Sequence, residues 1–394
     1  MPVISHLSFS RSGGAGEVMR RLSATQKSRG WDSQTITLID TNLRSEPLSA
    51  PLHTAAAIFD QRAIKSPEFR APISLLRDSL SMGLSRVPKD TGLLHLHWLN
   101  GVTDLRRIAR HIPGVPIVWT LHDMNPFTGA CHQSLGCQLF ETGCSHCPAV
   151  RGEFHGMVHR NFDNKKRFLG EAAVVLVAPS VWLAEQAKSS PITQGHPLHV
   201  IPNPLPSQKF RMADPTTLPL GPIRRVVVVA SDLSDPLKAV ADVVRAHQSS
   251  PEIWKSLELN LVGAHGLQWA SGDNIVCHGV LEKKELDALL SGSESLVAAS
   301  YGESFGLSVI EAAARGAAPL VRGSGALEEI QKSLGAGTVF TTDKDLRDAL
   351  AMLVRAPPTP NMRQRLAKRA LEIYSAENVG RKYETLYEEL GVML

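Results

Sequence analysis

Short β-branched runs recur along the 394-residue chain, each followed by a stretch with helical spacing, and this alternation limits the fold more than any other feature. "VISHLSF" leads through "SRSGGAG" into "EVMRRLSATQKSRG", where Gly30 reads as a helix stop. "SQTITLI", "LLHLHWL", the helical "VTDLRRIARHI" and "PIVWTLH" follow, then "AAVVLVAP" and "HPLHVIP". Further on come "RRVVVVAS", "LELNLVG", "NIVCHGV", "SLVAAS" and "AAPLVRG". Strands this continuously apolar are buried on both faces, so the pattern predicts parallel sheets covered by helices.

The rhythm stalls in "VIPNPLPSQKFRMADPTTLPLGP" (200–222), where six prolines in 23 residues exclude a central strand or a helix interior. This connector divides the strands into two sets, and the chain is too long for one ordinary core. The expected architecture is α/β, two Rossmann-like domains whose parallel sheets face a central cleft. The N-terminal domain is placed at 1–200 and the C-terminal domain at 201–375. Residues 376–394 read as an amphipathic closing helix with Ser375 as its N-cap and Glu377 or Asn378 in its first turn.

A formal charge of +4 is too small to argue for nucleic-acid binding, though it suits contact with an anionic membrane surface. No basic region followed by an apolar core opens the chain, and "AAVVLVAPSVWLA" is too short to span a bilayer, so the expected location is cytoplasmic. Residues 55–90 interleave apolar positions at helical spacing with Arg62, Lys65, Arg70, Arg77 and Arg86. An interfacial helix at the inner face of a membrane is one reading; an ordinary surface helix pair is the favoured one, because acidic residues dilute the charge.

The stretch richest in chemistry is "AASYGESFGLSVIEAAARGAAPLVRG" (298–323), which reads as strand end, polar turn, helix from near Gly306, and strand. Ser304, Phe305, Gly306 and Leu307 would offer backbone N–H groups to phosphate oxygens, and Gly306 would allow close approach. Glu311 can accept both hydroxyls of a ribose. Glu303 would face the other end of the same ligand. Taken singly, each glutamate could be a solvated or dipole-complementing carboxylate.

"GESFGLSVIEAAARGAAPLV" closely resembles the E-x7-E signature of the retaining, nucleotide-sugar-dependent glycosyltransferases of family 4, which have the GT-B fold. "SGGAG", "TLHD", "VIPNPLPSQKF", "DPLKAV", "HGVLEKKELDALL" and "YSAENVGRKYETLYEEL" resemble further segments of that family, in the same order. The resemblance implies that Glu311 binds the donor ribose, Glu303 the sugar hydroxyls, and the amides of Phe305, Gly306 and Leu307 the diphosphate. Lys238 would neutralise the leaving phosphates. The backbone around Val280 would read the base, and Gly14, Ala15 and Gly16 would cap the diphosphate. His122 would sit near the sugar's primary hydroxyl and the acceptor, a glycan or polyprenyl-linked saccharide. The family's usual arginine five residues before the lysine is Leu233 here; Arg322 is one candidate to replace its charge. Alternatives on the same architecture are a nucleotide-sugar epimerase and a non-catalytic binding module.

No catalytic metal is expected, since the one Asp-x-Asp tripeptide, Asp343-Lys344-Asp345, reads as helix N-terminal charge. Cys131, Cys137, Cys144 and Cys147 have the spacing C-x5-C-x6-C-x2-C. They are read as a structural zinc site that clasps a loop on the acceptor side, with reduced, unligated thiols as the main alternative. His95 and His97 share one strand face; a half-buried, hydrogen-bonded pair is expected there ahead of a metal site.

Overall fold

The computed structural model describes residues 2–37, 49–65, 72–75, 87–99, 108, 110–207, 223–270 and 273–393. The chain divides into two compact units, residues 1–207 with 376–394, and residues 208–375.

The first unit holds strands β1 (Val3–Ser8), β2 (Ser33–Thr37), β3 (Thr91–Leu96), β4 (Ile117–Thr120), β5 (Val174–Ala178) and β6 (Leu198–Val200). They pair in the order β2-β1-β3-β4-β5-β6, every pair parallel. Every residue of β4 and β5 is buried, as continuous apolar runs require. Helices α1 (Gly13–Ser28), α2 (Ser49–Ala63), α3 (His155–Glu171) and α4 (Val181–Lys188) lie along this half of the chain.

The second unit has β7 (Arg224–Asp232), β8 (Leu257–Ala264), β9 (Ile275–Gly279), β10 (Ser295–Ala298), β11 (Ala318–Arg322) and β12 (Thr338–Phe340). Their order is β12-β11-β10-β7-β8-β9, again all parallel. The longer helices are α5 (Val240–Gln248), α6 (Lys283–Ser291), α7 (Leu307–Ala313), α8 (Leu327–Leu334), α9 (Asp343–Arg355) and α10 (Pro360–Tyr374). The strand order reverses between β7 and β10, which are neighbours although 62 residues separate their ends; such a switch point opens a crevice at the strands' carboxyl ends.

The last helix, α11 (Ala376–Glu389), returns to the first unit and packs on α1. Gly380 allows the approach, since a Cβ there would lie 2.8 Å from Thr25 Cγ2. Glu384 receives Arg29 Nη2 at 2.7 Å and Trp31 Nε1 at 3.2 Å.

Three expectations fall wholly or partly outside the described residues: the helix over 102–112, the Pro-rich connector 200–222, of which 208–222 are not described, and the basic stretch 55–90, of which Arg70, Arg77 and Arg86 are not described. Among the described residues, no helix is long and apolar enough to cross a membrane.

Candidate functional site

At the switch point of the second unit, the loops leaving β7 and β10 meet. After β7, Asp235 caps a short turn by accepting from Leu237 N at 2.9 Å, and the turn delivers Lys238. After β10, Tyr301 N donates to Leu237 O at 2.9 Å, which ties the two loops together. Lys238 Nζ then reaches Glu303 Oε1 at 2.5 Å, and Ser300 Oγ donates to the same oxygen at 3.1 Å. Attraction to Glu303 raises the Lys238 pKa above its ordinary value despite burial, so the ammonium stays charged at neutral pH. The two residues singled out 65 positions apart are thus brought into direct contact.

The Glu303 backbone is fixed as well. Its carbonyl accepts from Ala326 N at 2.8 Å. Gly325, at φ +56°, passes so close that a Cβ would lie 2.3 Å from that oxygen. Gly306 follows in the left-handed region at φ +113° and starts α7. Among the described backbone hydrogen bonds, none uses the N–H groups of Phe305, Gly306 or Leu307. Phe305 is buried with its ring against Tyr374. In α7, Val309, Ile310, Ala312 and Ala313 are buried, while Leu307, Ser308 and Glu311 share the opposite, partly exposed face. Val280, just after β9, is 77% exposed.

Arg322 does not supply the missing cation. Its Nη2 donates to Asp242 Oδ2 at 2.6 Å, its Nε to Ala299 O at 2.6 Å, and its guanidinium lies over the Tyr301 ring. That side chain is consumed by a local ion pair. Leu233 is itself core, 1% exposed and packed against Gly263 and Gly266, so this position serves the interior. Asp345 forms a capping box with Thr342 at the start of α9, in line with helix N-terminal charge.

In the first unit, "SGGAG" is more than a turn before a helix: α1 already begins at Gly13. A Cβ at Gly16 would lie 2.4 Å from the Arg11 carbonyl carbon and oxygen, so only glycine lets residues 10–11 fold over the first helical turn. His122 follows β4 and is partly exposed. Its Nε2 lies 2.9 Å from His97 Nδ1, and His97 Nε2 lies 2.9 Å from His6 Nδ1. His6 Nε2 reaches Gln26 Oε1 at 2.7 Å. His95 bonds Tyr387 Oη and Thr120 Oγ1, each at 2.7 Å.

His95 and His97 are therefore hydrogen-bonded as expected, but fully buried where half-burial was expected. Burial keeps this array neutral: it lowers His6 and His122 to about 4, and His95 and His97 well below the ordinary value. Nitrogens of His6, His95 and His97 lie within 4.8 Å of one another. Both nitrogens of each ring are already engaged in hydrogen bonds, which makes the cluster a hydrogen-bond network. Its partners His6, Gln26 and Tyr387 were not among the residues singled out; histidines on β1 and β3, which pair at His6↔His95, are the signal that could have found them.

Beside His122, Asp123 accepts from Trp98 Nε1 at 2.9 Å and Asn125 N at 2.8 Å, and pairs with His132 Nδ1 at 2.6 Å. The loop that follows is anchored by a side chain the sequence did not flag: buried Lys165 of α3 donates to Asn125 O, Asn125 Oδ1 and Thr128 O at 2.6–3.0 Å. Cys131, Cys144 and Cys147 are buried in the same core, Cys137 is partly exposed, and none is in a disulfide. Burial pushes the Cys131 thiol up to about 12 and Cys144 up to about 11. Among the described residues, the group of candidate metal ligands found is His6, His95 and His97, and no sulfur of this loop belongs to it.

Two units, each built on a parallel six-stranded sheet flanked by helices, match the GT-B fold, and solved structures agree over nearly the whole chain. Sucrose-phosphate synthase from Thermosynechococcus elongatus matches with a TM-score of 0.67 and 17% identity, covering 99% of each chain. Anabaena HepE, solved in complex with UDP-glucose, matches with a TM-score of 0.61 and 15% identity, covering 98% of this chain and 99% of its own. Residues 265–372, which include Val280, Glu303 and Glu311, match the family model described as "Glycosyl transferases group 1". The chain is also 28% identical over 264 residues to the Escherichia coli (strain K12) protein named "Putative colanic acid biosynthesis glycosyl transferase WcaC". That match spans 63% of this chain and 62% of WcaC.

Proposed function

We propose that the chain is a glycosyltransferase that moves a sugar from a nucleoside-diphosphate sugar to a growing glycan or polyprenyl-linked saccharide, with retention of anomeric configuration. The observation that carries this reading is the Lys238–Glu303 pair at the switch point, beside the unused amides of residues 305–307. A sugar nucleotide already holds an activated anomeric carbon, so the protein must chiefly stabilise the charge of the departing diphosphate. The Lys238 ammonium and the three amides supply that stabilisation. With Leu233 in the core and Arg322 held by Asp242, Lys238 bears more of it than a site with a second cation would ask.

Glu311 takes the ribose hydroxyls, the backbone at Val280 the base, and Glu303 the hydroxyls of the transferred sugar. Gly14–Gly16 and His122 keep the roles the family resemblance implies: the diphosphate, and the sugar's primary hydroxyl. In the transfer, the bond from the anomeric carbon to phosphate oxygen breaks with its electron pair going to the diphosphate. The acceptor oxygen bonds the anomeric carbon on the same face, and its proton passes to the leaving phosphate. No metal is needed for these steps.

The cysteine loop is structural in this reading. Zinc held by Cys131, Cys137, Cys144 and Cys147 is the form their spacing supports, and binding would draw the sulfurs closer and remove their protons. About one zinc per chain after chelator washing bears this out; a value near zero leaves reduced thiols in the core. The reaction is placed in the cytoplasm, with peripheral contact to a membrane that carries the acceptor. Binding tests the donor assignment: calorimetry with a panel of nucleoside diphosphates and their sugars, beginning with UDP-glucose, should find a ligand. Glu311→Ala should weaken it about 10- to 100-fold. Unchanged affinity in that variant would remove Glu311 from the site.

A further inference from the structure

The buried histidines of the first unit have no part in the chemistry above, yet they are costly to keep. Imidazoles need a hydrogen-bond partner for each ring nitrogen once out of water, and apolar residues of similar volume would pack the same space without that demand. Here the demand is met in one direction along a line. Gln26 Oε1 accepts from Ser33 Oγ at 2.8 Å, and Gln26 Nε2 donates to Tyr387 Oη at 3.1 Å. With its oxygen toward His6, Gln26 requires a proton on His6 Nε2 and leaves His6 Nδ1 as an acceptor. His97 must then carry its proton on Nε2 to donate to His6, and its Nδ1 must accept from His122. The rings stack along the way, with centroids 5.2 Å apart for His6–His97 and 5.2 Å for His97–His122. Among the described residues, His122 Nδ1 is the one ring nitrogen of this line without a partner.

We propose that His97, His6 and Gln26 are positioning residues that hold His122 as its Nε2–H tautomer, leaving Nδ1 as a bare acceptor for a hydroxyl of the bound saccharide. The proposal rests on the role given to His122 above. Neutral rings support it, since a second proton on His97 or His6 would set two N–H groups against each other. A neutral acceptor of fixed orientation takes a hydroxyl hydrogen bond without the ring first turning or exchanging its proton, which is what preorganisation contributes to a transfer step.

The test is nitrogen NMR of the full chain labelled with [15N]histidine at pH 7, with resonances assigned from single-histidine variants. His6, His97 and His122 should each show Nε2 protonated and Nδ1 bare; an Nδ1–H tautomer at His122 overturns the proposal. Two variants separate positioning from packing. In His97→Asn, the side-chain oxygen can stand in for Nδ1 and accept from His122. His97→Phe fills the space without an acceptor. Turnover should fall about tenfold or more in the Phe variant through kcat, with KM nearly unchanged, and return to within about threefold in the Asn variant. Equal losses in two folded variants overturn the proposal. If His97→Phe does not fold, the Asn variant and the wild-type tautomers decide. The NMR arm needs no substrate: Nε2–H at His122 in a chain that turns over no sugar nucleotide supports the relay and counts against the functional reading alone.

Discussion

Leu233 shows what one side chain decides. The family pattern leads one to look for an arginine there, but the position is 1% exposed and closed by Gly263 and Gly266. Leu233→Arg should therefore fail to add a phosphate contact and should cost about 3–5 kcal/mol by burying an unpaired charge, read as a lowered denaturant midpoint. A stable variant with tighter diphosphate binding would show that the position can open. That Lys238 would lie near Glu303, and that a helix would start at Gly306, was legible because each sits in a short motif whose backbone geometry is local. His6, Gln26 and Tyr387 were not, because their roles exist only after the chain closes: Gln26 and Tyr387 meet across 361 positions. The fate of Arg322 was hidden for the same reason, its partner Asp242 lying 80 positions away.

At the scale of elements, the strands were readable where they are buried on both faces, because burial demands unbroken apolar runs. β12 escaped, being three residues at a sheet edge beside Gly337, which is held there because a Cβ would lie 2.1 Å from Pro319 O. α1 starts earlier than its sequence suggests because the close approach at Gly16 overrides glycine's poor helix propensity. α11 is amphipathic by pattern, yet its polar buried face is what joins it to the histidine array. Tyr387 lies fully buried between Gln26 Nε2 and His95 Nδ1. Tyr387→Phe keeps the packing and strands both partners, so it should cost about 1–3 kcal/mol by denaturant unfolding. No loss would mean that Gln26 and His95 find other partners.

For the whole molecule, the neutral histidine array links stability to pH. His6 is held at about 4, against 6.5 when free. Between those values the unfolded chain binds a proton that the folded chain refuses, so stability is full above about pH 6.5 and falls as pH drops toward 4. His6 alone accounts for about 3 kcal/mol of that loss, and His95 and His97 act in the same direction. Denaturant unfolding from pH 7 to pH 4 should show the decline, and a flat profile would mean that the array is hydrated. The two parallel sheets were foreseeable from the alternation of strand and helix, whereas donor and acceptor identity depends on loop shape. Product analysis tests sugar transfer driven by Lys238 and Glu303. The chain is incubated with nucleoside-diphosphate sugars, beginning with UDP-glucose, and a polyprenyl-linked saccharide. The predicted result is a saccharide lengthened by one sugar in the donor's anomeric configuration, with diphosphate released and turnover lost by about 100-fold or more in Lys238→Ala and Glu303→Ala. Undiminished transfer in both variants, or an epimerised donor formed without acceptor, would contradict it.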